Sequence, residues 1–194
     1  MNAMTNPTIV LVSASAVWVG WEIWLVVSDR KQGKGSTGAD RGTRYLNFIA
    51  MIAGIGGAAC TSAIPTTFFP GGRTETTLWI GIVIMAVGLL LRIWAVLTLG
   101  ASFRTTVETH AQQKVVDHGP YRLIRHPSYT GLLLTCCGYG IAVQNLISLG
   151  LAVILPLIAL VYRMHIEERV LSASIGQSYS EYMKRTKRLI PFLW

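Results

Sequence analysis

The chain has 194 residues, of which 52% are hydrophobic and only 13% charged, and its mean hydropathy is +0.47. These values exclude an ordinary soluble domain. A net charge of +8 and a pI near 9.8 would suit nucleic acid, but the basic residues stand between apolar runs, which indicates a membrane surface instead. The cysteines all lie inside apolar runs, which favours packing over disulfides or metal ligation: Cys60, Cys136 and Cys137.

The first predicted element is a membrane helix over residues 7–27, an apolar run interrupted by Glu22. The run lacks a basic leader and continues into Asp29-Arg30-Lys31, so we interpret it as a retained helix and not as a cleaved signal. A carboxylate inside a membrane indicates a functional role, but Glu22 lies near the interface and could instead face a neighbouring helix. Both interpretations stay open at this point.

A second span is predicted from 45 to 63, after a connector over 28–44 that is rich in Gly, Ser and Lys. Its small residues recur at helical spacing and should let another helix approach closely: Ala50, Ala53, Gly54, Gly57 and Ala58. A turn-rich loop over 64–77 leads to a third predicted span over 78–99. That span contains Arg92, which either snorkels toward the helix end or faces a substrate cavity.

The fourth helix is predicted to begin at Pro127, after a polar segment over 100–126. Proline has no N–H and disfavours a helical conformation in the residue before it, which is His126. The helix should end near Gln144-Asn145. Because the fifth span, over 146–162, follows almost directly, the two helices are predicted to form a tight hairpin.

Beyond the fifth span the helical pattern continues to Leu171. An amphipathic piece over 179–188 carries several basic residues and is predicted to lie on an anionic membrane surface. Residues 191–194 supply a final apolar and aromatic anchor.

The positive charges orient this five-span prediction. All of the 17 lysines and arginines except Arg73 and Arg92 fall on one side. The positive-inside rule then places the N-terminus outside and the C-terminus in the cytoplasm. We therefore predict an all-α integral membrane protein. Residues 1–99 would hold the first three spans and their connectors, and residues 100–194 a catalytic region with the last two spans and cytoplasmic helices that bind a cofactor.

Two polar motifs stand out in the second half of the chain. Residues 119–131 read Gly-Pro-Tyr-Arg-Leu-Ile-Arg-His-Pro-Ser-Tyr-Thr-Gly, and Glu167-Glu168 follow the fifth span, with Gly176, Tyr179, Tyr182 and Pro191 further on. The first motif alone could be a loop whose charges set topology. In this order, the two motifs resemble the signature of the integral-membrane isoprenylcysteine carboxyl methyltransferase family and its phospholipid methyltransferase relatives. The resemblance covers residues 100–194, about half of the chain.

The resemblance implies that the cofactor is S-adenosylmethionine and the product S-adenosylhomocysteine. It implies that six residues line the cofactor pocket: Val115, Val116, Tyr121, His126, Pro127 and Tyr129. Glu167 would hold the methionine ammonium group, and Arg163 would face a substrate carboxylate through two-point hydrogen bonding. Glu168 would either complete the cofactor shell or pair with Arg169.

The chemistry that follows is methyl transfer to a carboxylate of a prenylcysteine-like or other lipophilic acceptor, which would enter sideways from the membrane. A carboxylate is already ionised at neutral pH, so catalysis by Arg163 and Glu167 would rest on positioning and desolvation. An amine acceptor would instead need a base, for which Glu167 and His126 are the candidates.

Two other functions are open to the sequence. A membrane sterol or isoprenoid reductase using NADPH is similar in its C-terminal part, although this chain is short for one. A small transporter would use Glu22 and Arg92 to line a path but leaves both motifs unexplained. A metal site is not predicted, because the sequence has no His-x-x-x-His pair and no Cys-x-x-Cys pair. Its four histidines are widely spaced: His110, His118, His126 and His165.

Overall fold

The computed structural model describes residues 6–31, 43–64, 68–70, 73–100 and 115–191. Within these residues the chain forms six α-helices: α1 (Pro7–Lys31), α2 (Thr43–Thr61), α3 (Glu75–Leu99), α4 (Pro127–Val143), α5 (Leu146–Ile175) and α6 (Gln177–Arg185). A 3₁₀ helix, Gly119–Arg122, precedes α4. Most of the predicted basic connector, residues 101–114 with His110, and residues 192–194 of the predicted anchor lie outside the described residues.

Among the described helices, three are long and apolar enough to cross a membrane: Pro7–Ser28, Glu75–Leu99 and Leu146–Ile175. Their outward faces carry large exposed apolar side chains, such as Val17, Trp24, Val87 and Leu97. So much exposed apolar surface marks contact with lipid and not with water. The chain is therefore an integral membrane protein whose described elements are all helices. The other two helices of the predicted bundle are shorter, at 19 residues for α2 and 17 for α4.

Local sequence signals set the ends of α4 and α5. As predicted, α4 begins at Pro127, and His126 before it lies outside the helical region at φ −123°. At the other end Gln144 adopts a left-handed conformation with φ 61°. Asn145 then caps α5 by accepting a hydrogen bond from the Ser148 N–H at 3.0 Å. The predicted tight hairpin is confirmed.

The start of α3 differs from the sequence prediction, since the helix begins at Glu75 and not at 78. Thr74 caps it, because the Thr74 hydroxyl oxygen accepts a hydrogen bond from the Thr77 N–H at 3.1 Å. The Thr74 N–H in turn donates to the Gln144 side-chain oxygen at 2.6 Å. The turn between α4 and α5 thus fixes the start of α3.

Glycines allow the backbones of α3 and α4 to touch. Of the helix pairs in the described residues, this one is the most extensive. A Cβ atom on any of four glycines would lie 2.3–2.6 Å from a backbone nitrogen of the facing helix: Gly81 and Gly88 on α3, and Gly131 and Gly138 on α4. Real Cβ atoms do not approach so closely, so any larger residue would push the helices apart. This contact anchors the first turn of α4.

The predicted small-residue face of α2 packs against α5. A Cβ atom on Gly54 would lie 2.9 Å from the Leu151 carbonyl oxygen. Ala58 is fully buried, and its carbonyl oxygen accepts a hydrogen bond from the Ser148 hydroxyl at 2.8 Å. The expected close approach is confirmed, and its partner is α5.

The two charges predicted inside the membrane lie side by side. The Glu22 carboxylate on α1 accepts hydrogen bonds from Arg92 Nε at 2.5 Å and Nη2 at 2.6 Å. Glu22 therefore faces a neighbouring helix, which was one of its two interpretations. Arg92 is buried and bound to Glu22, which excludes snorkelling, one of its two interpretations.

Candidate active site

The start of α4 is joined to the chain segment that follows α6. The Arg125 N–H donates to the Lys187 carbonyl at 2.7 Å, and the His126 N–H donates to the Arg188 carbonyl at 3.0 Å. Ile124 and Lys187 form a parallel bridge beside them. Residues 124–126 and 187–188 therefore lie alongside each other like two short strands, and together they form what we call the corner.

Glu168, which is buried on α5, ties that helix to the corner. Its carboxylate accepts hydrogen bonds from Arg125 Nε at 3.0 Å and from Arg188 Nη2 at 2.8 Å. His126 Nε2 lies 3.3 Å from the same carboxylate. The predicted alternative, pairing with Arg169, is wrong, because Arg169 is exposed and these three groups hold the carboxylate.

The Tyr129 hydroxyl is the meeting point of the predicted catalytic residues. It donates to Glu167 Oε2 at 2.7 Å and accepts from Arg163 Nε at 2.8 Å. Arg163 and Glu167 are one helical turn apart on α5, so their spacing correctly predicted a shared face. Arg163 Nη1 also donates to the Thr43 hydroxyl on α2 at 3.0 Å. One phenol thus lies between a guanidinium and a carboxylate.

Aromatic rings surround these charges. The His126 ring stacks on the Tyr129 ring, with centroids 5.3 Å apart and planes 8° from parallel. The Tyr182 hydroxyl donates to the Tyr121 carbonyl at 2.8 Å, and Tyr179 packs against Tyr182. These contacts bring α6 and the 3₁₀ helix to the corner.

The buried tyrosines stay uncharged. Burial raises the pKa of Tyr182 to about 12. Burial, with the Glu167 carboxylate close by, raises the pKa of both Tyr121 and Tyr179 far above the usual range. They are therefore neutral walls of the site and do not act as bases at physiological pH.

The remaining predicted residues lie on either side of the 3₁₀ helix. Val115 and Val116 are half-buried in the irregular stretch before it, and Pro127 is fully buried in the first turn of α4. Asp117, next to the two valines, forms an exposed ion pair with Arg185 of α6 at 2.6 Å. An exposed ion pair stabilises little, but this one joins the stretch before the 3₁₀ helix to α6.

The arrangement suits a ligand that carries charges of both signs. Glu167 is half-buried, so its carboxylate can accept an ammonium group while it still contacts Tyr129. The guanidinium of Arg163 matches a carboxylate in two-point geometry. The stacked rings of Tyr129 and His126 lie beside these charges, and a heterocycle or a sulfonium group can pack against such rings.

Comparison with known proteins identifies the family. The family model described as phospholipid methyltransferase matches residues 76–178, which is more than half of the chain. The chain belongs to the phospholipid methyltransferase family. The matched residues run from α3 to the first turn of α6, and so include Tyr129, Arg163 and Glu167.

Several relatives carry more specific names. A probable protein-S-isoprenylcysteine O-methyltransferase of Oryza sativa subsp. indica is 32% identical over 117 residues, which are 59% of this chain and 61% of the relative. Protein-S-isoprenylcysteine O-methyltransferase B of Arabidopsis thaliana is 31% identical over 131 residues, 65% of this chain and 66% of the relative. The match with these plant relatives thus spans less than two thirds of their length. The resemblance inferred from the two motifs is confirmed.

A solved structure shares the fold. The eukaryotic intramembrane Ras methyltransferase, an isoprenylcysteine carboxyl methyltransferase, superposes with a TM-score of 0.66 at 22% identity. The superposition covers 98% of this chain and 69% of that chain. The described helices of this phospholipid methyltransferase family member therefore have a membrane fold already seen in a solved structure.

Sequence reasoning missed two site residues of this family member. Arg188 was assigned to the membrane surface, but its side chain binds the buried carboxylate of Glu168. The available signal was that a buried glutamate needs cationic partners. Thr43, which binds Arg163, gave no signal, because it lies 120 positions earlier in the chain.

Proposed function

We propose that this protein is an S-adenosylmethionine-dependent methyltransferase that transfers a methyl group to the carboxylate of a prenylcysteine-like or other lipophilic acceptor. One observation carries the proposal: the Tyr129 hydroxyl joins Glu167 to Arg163, so a group for an ammonium and a group for a carboxylate meet at one phenol oxygen. The names of the relatives as protein-S-isoprenylcysteine O-methyltransferases support it.

The donor set fits the proposed cofactor. When bound, S-adenosylmethionine supplies a methyl group carried by a sulfonium sulfur. Glu167 holds the methionine ammonium group in this proposal. The adenosine is bordered by apolar and aromatic residues: Val115, Val116, Tyr121, His126, Pro127 and Tyr129. Glu168 already accepts from Arg125 and Arg188, so we assign it to positioning the corner and not to the cofactor shell.

Arg163 is the proposed partner of the acceptor carboxylate. Its Nε contacts Tyr129 and its Nη1 contacts Thr43, so packing and hydrogen bonds fix the guanidinium before the acceptor arrives. Because a carboxylate is ionised at neutral pH, no residue has to remove a proton. The protein orients the acceptor carboxylate toward the methyl group and excludes water from the site. Methyl transfer by direct displacement depends on both effects.

We also infer that α2 and α4 cross the membrane together with the three longer helices, with the N-terminus outside and the corner on the cytoplasmic side. The basic residues around the corner support this orientation. In a cysteine-free background, a cysteine at Asn6 in sealed right-side-out vesicles is expected to react with an impermeant maleimide. A cysteine at the exposed Ser178 of α6 is expected to react only after detergent is added. The reverse pattern would contradict the orientation.

The proposed cofactor is tested by calorimetric titration of detergent-purified protein. We expect saturable binding of S-adenosylhomocysteine and none of reduced nicotinamide dinucleotide phosphate. Binding of the dinucleotide alone would favour the reductase. Binding of neither would overturn the proposal and leave a non-enzymatic membrane role.

The acceptor is tested separately with radiolabelled S-adenosylmethionine. Label is expected to enter N-acetyl-S-farnesylcysteine, which has a free carboxylate and a prenyl chain. The methyl ester of the same compound has no carboxylate and is the matched control. Equal labelling of the acid and the ester would contradict methylation at the carboxylate.

A further inference from the structure

Glu22 and Arg92 form a buried ion pair that the proposed reaction does not use. They lie on α1 and α3, and their residues are 6% and 7% exposed. Two parallel contacts join them, at 2.5 Å from Nε and 2.6 Å from Nη2 of the arginine. This is the two-point geometry in which a guanidinium matches a carboxylate best.

The remaining terminal nitrogen of Arg92 reaches α4. Nη1 donates to the Ser128 carbonyl oxygen at 3.1 Å and to the Ser128 hydroxyl at 2.9 Å. A Cβ atom on Gly131 would lie 2.6 Å from the backbone nitrogen of Arg92. This glycine therefore lets the backbone of α3 at Arg92 come close to α4. A single side chain therefore joins α1, α3 and the first turn of α4.

Association of α3 with α4 alone does not explain the hydrogen bonds from Arg92 to Ser128. The glycine contacts already hold α3 against α4. Burying two charges is costly, and apolar residues of similar volume often stabilise a protein as well or better. What the glycines do not supply is a hydrogen bond to Ser128, the residue immediately before Tyr129.

We propose that Glu22 and Arg92 form a positioning clamp that holds the first turn of α4 through Ser128, and thereby fixes Tyr129 between Arg163 and Glu167. Arg92 is the positioning residue, and Glu22 neutralises and orients it. The inference rests on the proposed function, because Tyr129 matters through the ligands that those two residues bind. The fork of Arg92 is required, since a lysine ammonium has no planar pair of donors.

The decisive variant replaces both charges, Glu22→Leu with Arg92→Leu. It removes the buried ions together, so we expect a thermal unfolding midpoint equal to or above that of the parent. Without the donor to Ser128, affinity for S-adenosylhomocysteine is expected to fall about tenfold, the loss typical of one charged hydrogen bond. Affinity and stability would then change independently, which a purely structural pair does not predict.

Arg92→Lys is the second variant, and it keeps the charge opposite Glu22. It is expected to show a similar loss of affinity. Arg169→Ala, at an exposed position on α5, is the control and should bind like the parent. If both clamp variants fold and bind S-adenosylhomocysteine as the parent does, the inference is wrong.

Hydrogen exchange separates this inference from the proposed function. The Tyr129 and Thr130 amides both donate to the His126 carbonyl, at 3.0 and 3.1 Å. In the ligand-free double-leucine variant these amides are expected to exchange at least about tenfold faster than in the parent. That result would support the clamp even if the parent bound no S-adenosylhomocysteine. Unchanged exchange in the double-leucine and Arg92→Lys variants would overturn it.

Discussion

Glu167→Ala is expected to weaken the binding of S-adenosylhomocysteine by about ten- to 100-fold. The carboxylate is the proposed partner of the ligand ammonium group, and a hydrogen bond to a charged group contributes about 1.5–3 kcal/mol. The substitution also leaves the Tyr129 hydroxyl without the acceptor that it has at 2.7 Å. Calorimetric titration of the purified variant measures the loss directly.

Two further glutamate variants separate charge from shape. Glu167→Gln keeps the size and can still accept from Tyr129, but it lacks the charge, so we expect it to lose most of the affinity that the alanine variant loses. Glu181→Ala removes an exposed carboxylate from α6 and should bind like the parent. Parent-like affinity in both Glu167 variants would show that the ammonium group binds elsewhere.

Arg163→Ala is expected to lower kcat/KM for the prenylated acceptor by at least about 30-fold, because removing one partner of a buried charged pair costs about 2–5 kcal/mol. Affinity for S-adenosylhomocysteine should change by less than about threefold, since Glu167 still accepts from the Tyr129 hydroxyl and Arg92 still holds Ser128 beside it. Initial rates with radiolabelled cofactor, measured over a range of acceptor concentrations, test this prediction.

The controls for Arg163 address its burial. Arg163 is only 3% exposed, so the unfolding midpoint of each variant must be measured beside its activity. Arg163→Lys keeps the charge but not the two-point geometry, and it should recover little of the lost kcat/KM. Arg169→Ala, on the same helix but exposed, should react like the parent. An acceptor kcat/KM that survives Arg163→Ala would exclude the arginine from acceptor binding.

Helix boundaries were predictable where local residues set them. Pro127 marks the start of α4 because proline disfavours the helical conformation in the residue before it. Gln144 and Asn145 interrupt two apolar runs, so the hairpin was visible. The start of α3 was placed three residues too late, although Thr74 is a local N-cap signal whose hydroxyl accepts from the Thr77 N–H. Only the contact of the Thr74 N–H with the Gln144 side chain, 70 positions away, could not be read from the sequence. A contact with a residue so far away in the chain cannot be predicted from the local sequence.

The glycine contacts show a different limit. Gly81 and Gly88 are seven residues apart on α3, and Gly131 and Gly138 are seven apart on α4. Such spacing puts each pair on one helix face, which the sequence displays. It does not display which helix each face meets. The small-residue face of α2 was predicted and confirmed, but the closer contact between α3 and α4 was not predicted.

The site was predictable where residues share one helix. Arg163 and Glu167 are four apart, so their common face followed from helical geometry. The role of the basic segment after α6 was harder to predict. Lys187 and Arg188 are adjacent basic residues, and the sequence does not indicate which of them reaches the site. The pairing of residues 124–126 with 187–188 decides the difference, because it exposes Lys187 and brings Arg188 to Glu168. That pairing depends on the packing of α5 and α6, which no local motif encodes.

The corner also determines when the site is complete during synthesis. Synthesis runs from the amino end, so residues 186–190 are made after all of α1 to α5. The Thr130 hydroxyl on α4 finds its acceptor, the Leu189 carbonyl at 2.8 Å, only after those residues emerge. Glu168 gains Arg188 at the same stage. The corner is therefore completed after its other parts have been made, and a nascent chain that stops at the end of α5 lacks it.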